Sequence, residues 1–273
     1  MATVIAVLGR KGGITKTTLA ANLAAALARG GLRTVLIDAD GQGNATQMCG
    51  AKRASGLNDV MMNDAEWADC LLPVGKAFTG ETEQLSALWV LPSDDSQREL
   101  EAHPAAAGRI VERIAELRGM CDAVVVDTSP GITEVHAGMY VAADWAILPT
   151  SMEWAAISSL QHTIGYLEAT KRAAGSAAEI LAIVPNLFSA GEKIQRENYG
   201  YLRGRYGHQI TVVEPMRRLT VWAQASQLKQ SIWAYAPEDD YNARRMARSA
   251  AGEAMGMVDA VVNNLLVEVR DGR

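Results

Sequence analysis

The stretch Gly9-Arg-Lys-Gly-Gly-Ile-Thr-Lys-Thr-Thr18 has the residue types that hold a phosphate. Glycines let backbone amides turn toward an anion, and a helix N-terminus adds partial positive charge. Lys16 supplies a full charge, and the Thr17 hydroxyl is a ligand for Mg2+. The common phosphate loop reads G-x-x-x-x-G-K-[ST]. Counted back from Lys16, its glycine positions hold Arg10 and Thr15, and a surplus lysine stands at Lys11.

Two further stretches carry carboxylates. Val35-Leu-Ile-Asp-Ala-Asp-Gly-Gln-Gly-Asn44 spaces Asp38 and Asp40 two apart, so on an extended chain they point the same way. Such a pair suits a metal ion or its water, although Asp, Gly and Asn are also ordinary turn residues. Ala123-Val-Val-Val-Asp-Thr-Ser-Pro-Gly131 is an apolar run ending in Asp127, the Walker B arrangement, whose carboxylate holds Mg2+ through water.

These groups meet only if strands bring their ends together. Apolar runs at Val4–Leu8, Val35–Ile37, Leu88–Leu91, Ala123–Val126, Trp145–Leu148, Ile180–Val184 and Ile210–Val213 alternate with helical patterns at Lys16–Arg29, Gln97–Leu117, Glu153–Lys171 and Leu219–Gln230. Continuous Val/Ile/Leu runs without period-2 alternation are expected of parallel strands covered on both faces. The alternation predicts an α/β fold, a doubly wound, mostly parallel β-sheet flanked by helices. Ligands in such sheets sit beyond the carboxyl ends of the strands, where all three stretches fall. Residues 50–87 read as helices and loops at one edge, and no composition break divides 1–273 into more than one domain.

The chain of 273 residues is 49% hydrophobic and 21% charged, enough apolar material for a large core. Cys49, Cys70 and Cys121 lie far apart with no C-x-x-C pair, which argues against a disulfide framework or a local zinc or iron–sulfur site. The opening apolar run is too short for a signal peptide or a membrane span, so a cytoplasmic protein is expected. Net charge is −5, but residues 190–250 carry ten basic against six acidic side chains, a candidate binding face on an acidic protein.

Lys11-Gly-Gly-Ile-Thr-Lys-Thr-Thr18 resembles the deviant Walker A loop of the ParA/MinD superfamily of P-loop ATPases. Ile37-Asp-Ala-Asp-Gly-Gln-Gly-Asn-Ala-Thr46 is similar to the family's second motif and Asp127-Thr-Ser-Pro-Gly131 to its Walker B, and the similarity runs through Trp145–Thr150, Ile183–Leu187 and Val213–Ala225. The resemblance implies the P-loop NTPase fold with ATP and Mg2+ sandwiched in a homodimer. It casts Lys11, Lys16 and Asp40 as catalytic residues: Lys11 reaching across to the partner's phosphates, Lys16 holding them in cis, and Asp40 positioning the attacking water. Gly12, Gly13, Ile14, Thr15, Thr17 and Thr18 complete the nucleotide loop. Thr17, with Asp127 and Asp40 through water, serves the metal, and Asp38 orders the outer shell or the loop. Asn186 and the Pro215–Met216 stretch match the adenine segments. Two departures stand out. Thr15 replaces the usual glycine and is expected at an ordinary negative φ, slowing turnover. Gly41 replaces a proline and should loosen its loop.

Within the superfamily, the chain looks most like a small ParA-type partition or positioning ATPase without an N-terminal helix-turn-helix. That implies non-specific DNA binding, nucleoid association, and a centromere-binding protein or cargo adaptor that stimulates weak hydrolysis. The cargo would be a plasmid, a chromosome or a protein assembly. Candidate DNA contacts are Arg217 and Arg218, with Arg196, Arg203, Arg205, Lys229, Arg244, Arg245 and Arg248. A MinD-like membrane regulator is an alternative, but the tail Met257–Arg270 sets Asp259 and Glu268 against Arg270 and reads as a packed terminal helix, so no membrane is expected. A metabolic ATPase is another, disfavoured by the signature lysine and the Gln42-Gly-Asn-Ala-Thr46 run.

Overall fold

The structure, a computed structural model, describes the backbone of residues 1–83, 85–131, 133–237 and 241–270, and the side chains of these except 260 and 262–270. Among these residues the strands are β1 (Thr3–Val7), β2 (Thr34–Ala39), β3 (Leu72–Pro73), β4 (Leu88–Leu91), β5 (Ala123–Thr128), β6 (Trp145–Ser151), β7 (Glu179–Asn186) and β8 (Thr211–Val212). They form one sheet in the order β3-β4-β2-β5-β1-β6-β7-β8. Every neighbouring pair is parallel except the edge pair β3 and β4.

Helices cover both faces, which is why the central strands carry apolar residues at consecutive positions. Val4, Ala6, Val35, Ile37, Val124 and Val126 face one half of the core, together with Ile110, Ile114 and Met139 of the helices Ala106–Leu117 and Glu134–Ala142. Ile5, Val7, Leu36 and Val125 face the other half, against Leu19, Leu23 and Leu27 of the helix Lys16–Arg29. That helix is rich in alanine because it lies between the sheet and the terminal helix Tyr241–Arg270, and small side chains permit both approaches.

The chain differs from the sequence expectation in three places. Residues 97–117 form two helices, Gln97–Ala102 and Ala106–Leu117, because Pro104 holds His103 extended at ψ 124°. The 50–87 segment contains, besides short helices, the two-residue strand β3, which pairs antiparallel with β4. The terminal pattern begins at Tyr241 and packs through Ala250, Ala254, Met257 and Val261, whereas the side chains of 262–270 lie outside the described residues. No helix among the described residues is long and apolar enough to cross a membrane.

Candidate functional site

β2, β5 and β1 are adjacent, and their register puts Asp38, Asp127 and Val7 side by side at the carboxyl ends. Three loops therefore open at one place. Cross-links hold their spacing: the Thr128 hydroxyl donates to Val7 O at 2.8 Å, and Ser129 N donates to Ala39 O at 3.1 Å.

The loop after β1 leads into the helix that begins at Lys16. Gly13 has φ +73°, a conformation open to glycine at little cost. Lys16 is 6% exposed and donates to Lys11 O at 3.3 Å, so its ammonium curls under the loop where a phosphate would lie. Burial pushes its pKa down, while Asp127 and Asp40 push it back up. Lys11 lies on the outer side of the same loop, and its ammonium pairs with Glu153 at 2.8 Å. That partner is not legible in the sequence, since Glu153 comes 142 residues later, after β6.

Asp127 is completely buried, and neither carboxylate oxygen has a hydrogen-bond partner among the described residues. Burial and the neighbouring Asp38 push its pKa well up; the Thr17 hydroxyl and Lys16 oppose them. A buried carboxylate without a donor is expensive unless a cation or its water shell reaches it. With the Thr17 hydroxyl facing it, the pair would hold Mg2+ or its water shell.

Asp38 and Asp40 divide their tasks. Asp38 is buried and accepts from Thr46 N (2.8 Å), Thr46 Oγ1 (2.6 Å) and Asp40 N (3.3 Å). Burial nevertheless pushes its pKa up to about 6. It orders the 40–46 loop, as the resemblance implied. Asp40, 9% exposed, accepts at Oδ1 from Gln42 N at 3.0 Å. Around Gly41 the loop is tied to its neighbours. Arg53 donates to Gly41 O at 2.6 Å, Gln97 donates to Ala39 O at 2.9 Å, and a Cβ on Gly41 would stand 3.2 Å from Asp94 O.

Residues 2–180 match the AAA domain family. The chain belongs to it, as a P-loop ATPase of the ParA/MinD superfamily. The chromosome-partitioning ATPase Soj of Thermus thermophilus is 26% identical over 235 residues, covering 85% of this chain and 88% of that one. Apo McdA of Cyanothece superposes with a TM-score of 0.80 at 19% identity, over 96% of this chain and all of that one. Cobyrinic acid a,c-diamide synthase of Mycobacterium smegmatis, with bound ADP and magnesium, gives 0.69 at 22% identity over 84% and 92%. At these identities the two structures speak for the fold alone.

The more distant candidate residues for the nucleotide converge. Asn186 ends β7, and Met216 N donates to Pro185 O at 2.9 Å, so both candidate adenine segments meet beside Thr15 and Thr18. Together they line a cavity of about 730 Å3 whose walls include Leu19, Arg218, Trp222 and Met257. Its size and apolar walls suit a nucleoside.

Thr15 departs from expectation: it takes φ 65° and ψ 28°, the left-handed region, so the glycine-type geometry is kept without a glycine. The basic residues also sort differently. Arg217 donates through Nε to Glu253 at 2.5 Å and is tied to the terminal helix. Arg218 lines the 730 Å3 cavity, and Lys229 lines a recess with Thr17, Thr18 and Gln47. Arg196 donates to Ala190 O at 2.5 Å, Arg203 lies 5.7 Å over the Tyr199 ring and Arg205 lies 5.8 Å over that of Tyr206. Arg244, Arg245 and Arg248 remain clustered with Tyr241 on the outer face of the terminal helix.

Proposed function

We propose that this ATPase is a partition or positioning protein: it binds ATP with Mg2+, hydrolyses it slowly, pairs with a second copy around the nucleotide and binds DNA without sequence preference. The observation that carries the reading is the fully buried Asp127 carboxylate facing the Thr17 hydroxyl and Lys16, set against a loop with a second lysine on its outer face. Lys16 would hold the phosphates in cis, Thr17 and Asp127 would hold the metal shell, and Asp40 would orient water at the mouth. Mg2+, when bound, neutralises charge on the phosphate oxygens. Lys11 would exchange Glu153 for the phosphates of the partner copy, a cation delivered where charge develops. The likeness to a chromosome-partitioning ATPase over most of both chains supports partition over metabolism. One domain over 1–273, a nucleoid-associated location in the cytoplasm, and a stimulating centromere-binding protein or cargo adaptor complete the proposal.

Titration with a fluorescent ATP analogue tests it. Asp127→Asn is expected to weaken binding about 10- to 100-fold with Mg2+ and to leave binding in a chelator unchanged. Lys11→Ala should retain nucleotide and lose ATP-dependent dimerisation. Equal affinity of wild type and Asp127→Asn in Mg2+ would overturn the metal assignment, and dimerisation by Lys11→Ala would remove the cross-subunit role.

A further inference from the structure

Thr15 and Leu187 are both non-glycine residues with left-handed backbone, at φ 65° and φ 55°. They come from distant segments, the phosphate loop and the end of β7, and one buried side chain lies between them. The Asn186 amide donates through Nδ2 to Thr15 Oγ1, while its Oδ1 accepts from Leu187 N at 2.7 Å. The Thr15 hydroxyl itself donates to Ile14 O at 2.6 Å. Asn186 is 5% exposed, and Thr15, Asn186 and Leu187 all line the 730 Å3 cavity.

A β-branched residue is a poor occupant of the left-handed region, because its Cβ crowds the backbone there. Such a conformation persists only where the surroundings over-determine it. Here the surroundings are two hydrogen bonds on one hydroxyl, one local and one delivered from β7. Thr15 immediately precedes Lys16, so its φ and ψ set the direction in which the helix N-terminus, Lys16 and Thr17 leave the loop. A glycine at this position would reach the same backbone without help. Threonine reaches it and can be held there.

We propose that Asn186 is a positioning residue for the phosphate loop, its amide fixing Thr15 in the left-handed conformation from which Lys16 and Thr17 emerge. The proposal rests on the nucleotide reading above and goes beyond a contact with the base. A primary amide has two N–H donors and two acceptor lone pairs. Thr15 and Leu187 use one of each, which leaves one of each for a ligand in the cavity. Whatever the base does to Asn186 is therefore transmitted to the phosphate loop through Thr15. Base end and phosphate end of the site become coupled through one side chain.

The test uses a ligand without a base. Mg2+–tripolyphosphate binding to the full chain is measured for Asn186→Ala in two backgrounds, native Thr15 and Thr15→Gly. With Thr15 present, Asn186→Ala is expected to weaken tripolyphosphate about threefold to tenfold, the effect of one lost hydrogen bond. With Thr15→Gly, the same substitution should change it less than about twofold, since the hydroxyl it acted through is gone. Thr15→Ser should preserve the response and Thr15→Val abolish it. Amide exchange of residues 12–18 in nucleotide-free protein gives a second readout, accelerated by Asn186→Ala only where residue 15 carries a hydroxyl. An equal loss in both backgrounds, exchange that is unchanged, or a loss confined to ATP would overturn the positioning role. Wild-type protein that binds neither tripolyphosphate nor ATP would instead remove the nucleotide reading, and this proposal with it.

Discussion

His136 lies in the first turn of the helix Glu134–Ala142, 4% exposed, and neither ring nitrogen has a hydrogen-bond partner among the described residues. Burial, aided by the charge of Lys16, pushes its pKa down to about 4. Below about pH 6.5 the unfolded chain takes up a proton that the folded chain refuses until pH nears 4, so this group withdraws stability as pH falls through that window. At about pH 5 the loss is on the order of 2 kcal/mol. Asp38 acts oppositely: its carboxyl, raised to about 6, favours the folded state more as pH falls toward the ordinary carboxylate range. Both proteins in a comparison keep Asp38, so its contribution cancels. His136→Leu should therefore raise the urea midpoint more at about pH 5 than at about pH 7.5, where only the missing hydrogen bonds count. A gain that is the same at both would refute the assignment. At this scale the candidate reacting groups are legible in the sequence and their supports are not. Lys16, Thr17, Asp40 and Asp127 sit in short motifs, whereas Glu153, Asn186 on Thr15, and the φ of Thr15 depend on contacts between distant strand ends.

Among the elements, the seam between the β7–β8 end of the sheet and the terminal helix is held by Arg217. Its backbone N–H and Nε donate to the two carboxylate oxygens of Glu253 at 2.8 and 2.5 Å, and its Nη2 donates to the Ser249 hydroxyl. Glu253 is the more buried partner, with 19% of its side chain exposed. Arg217→Glu should destabilise the protein by about 1–3 kcal/mol in thermal melts, through lost charged hydrogen bonds and two facing carboxylates. Adding Glu253→Arg should recover part of that loss; no recovery would mean that the ion pair is incidental. The sequence placed the long elements well because Lys16–Arg29 and the central strands have strong apolar patterns. It missed β3, whose two residues are too few for any period, and joined the two helices that Pro104 separates.

For the whole molecule, the question is where a chain of net charge −5 would meet DNA. Composition located the basic segment, but only packing separates arginines that are occupied from those that are available. Arg217 serves the fold, Arg218 and Lys229 line the two recesses beside Thr18, and Arg196 is tied to a carbonyl. Arg244, Arg245 and Arg248 are exposed within about one turn of the terminal helix and, with Tyr241, border a recess of about 290 Å3. Contacts of this kind act on phosphates and are blind to sequence, so their signature is a salt slope. Arg244→Glu with Arg245→Glu should weaken binding of random duplex DNA by the ATP-bound protein. It should also flatten the plot of log affinity against log salt by roughly two phosphate contacts, while ATP affinity stays unchanged. Gel shifts over a salt series with several unrelated duplexes measure this directly. A double variant with the wild-type slope would move the DNA surface elsewhere on the molecule. A variant that lost one duplex and kept another would contradict backbone recognition, because phosphates are the same in every sequence.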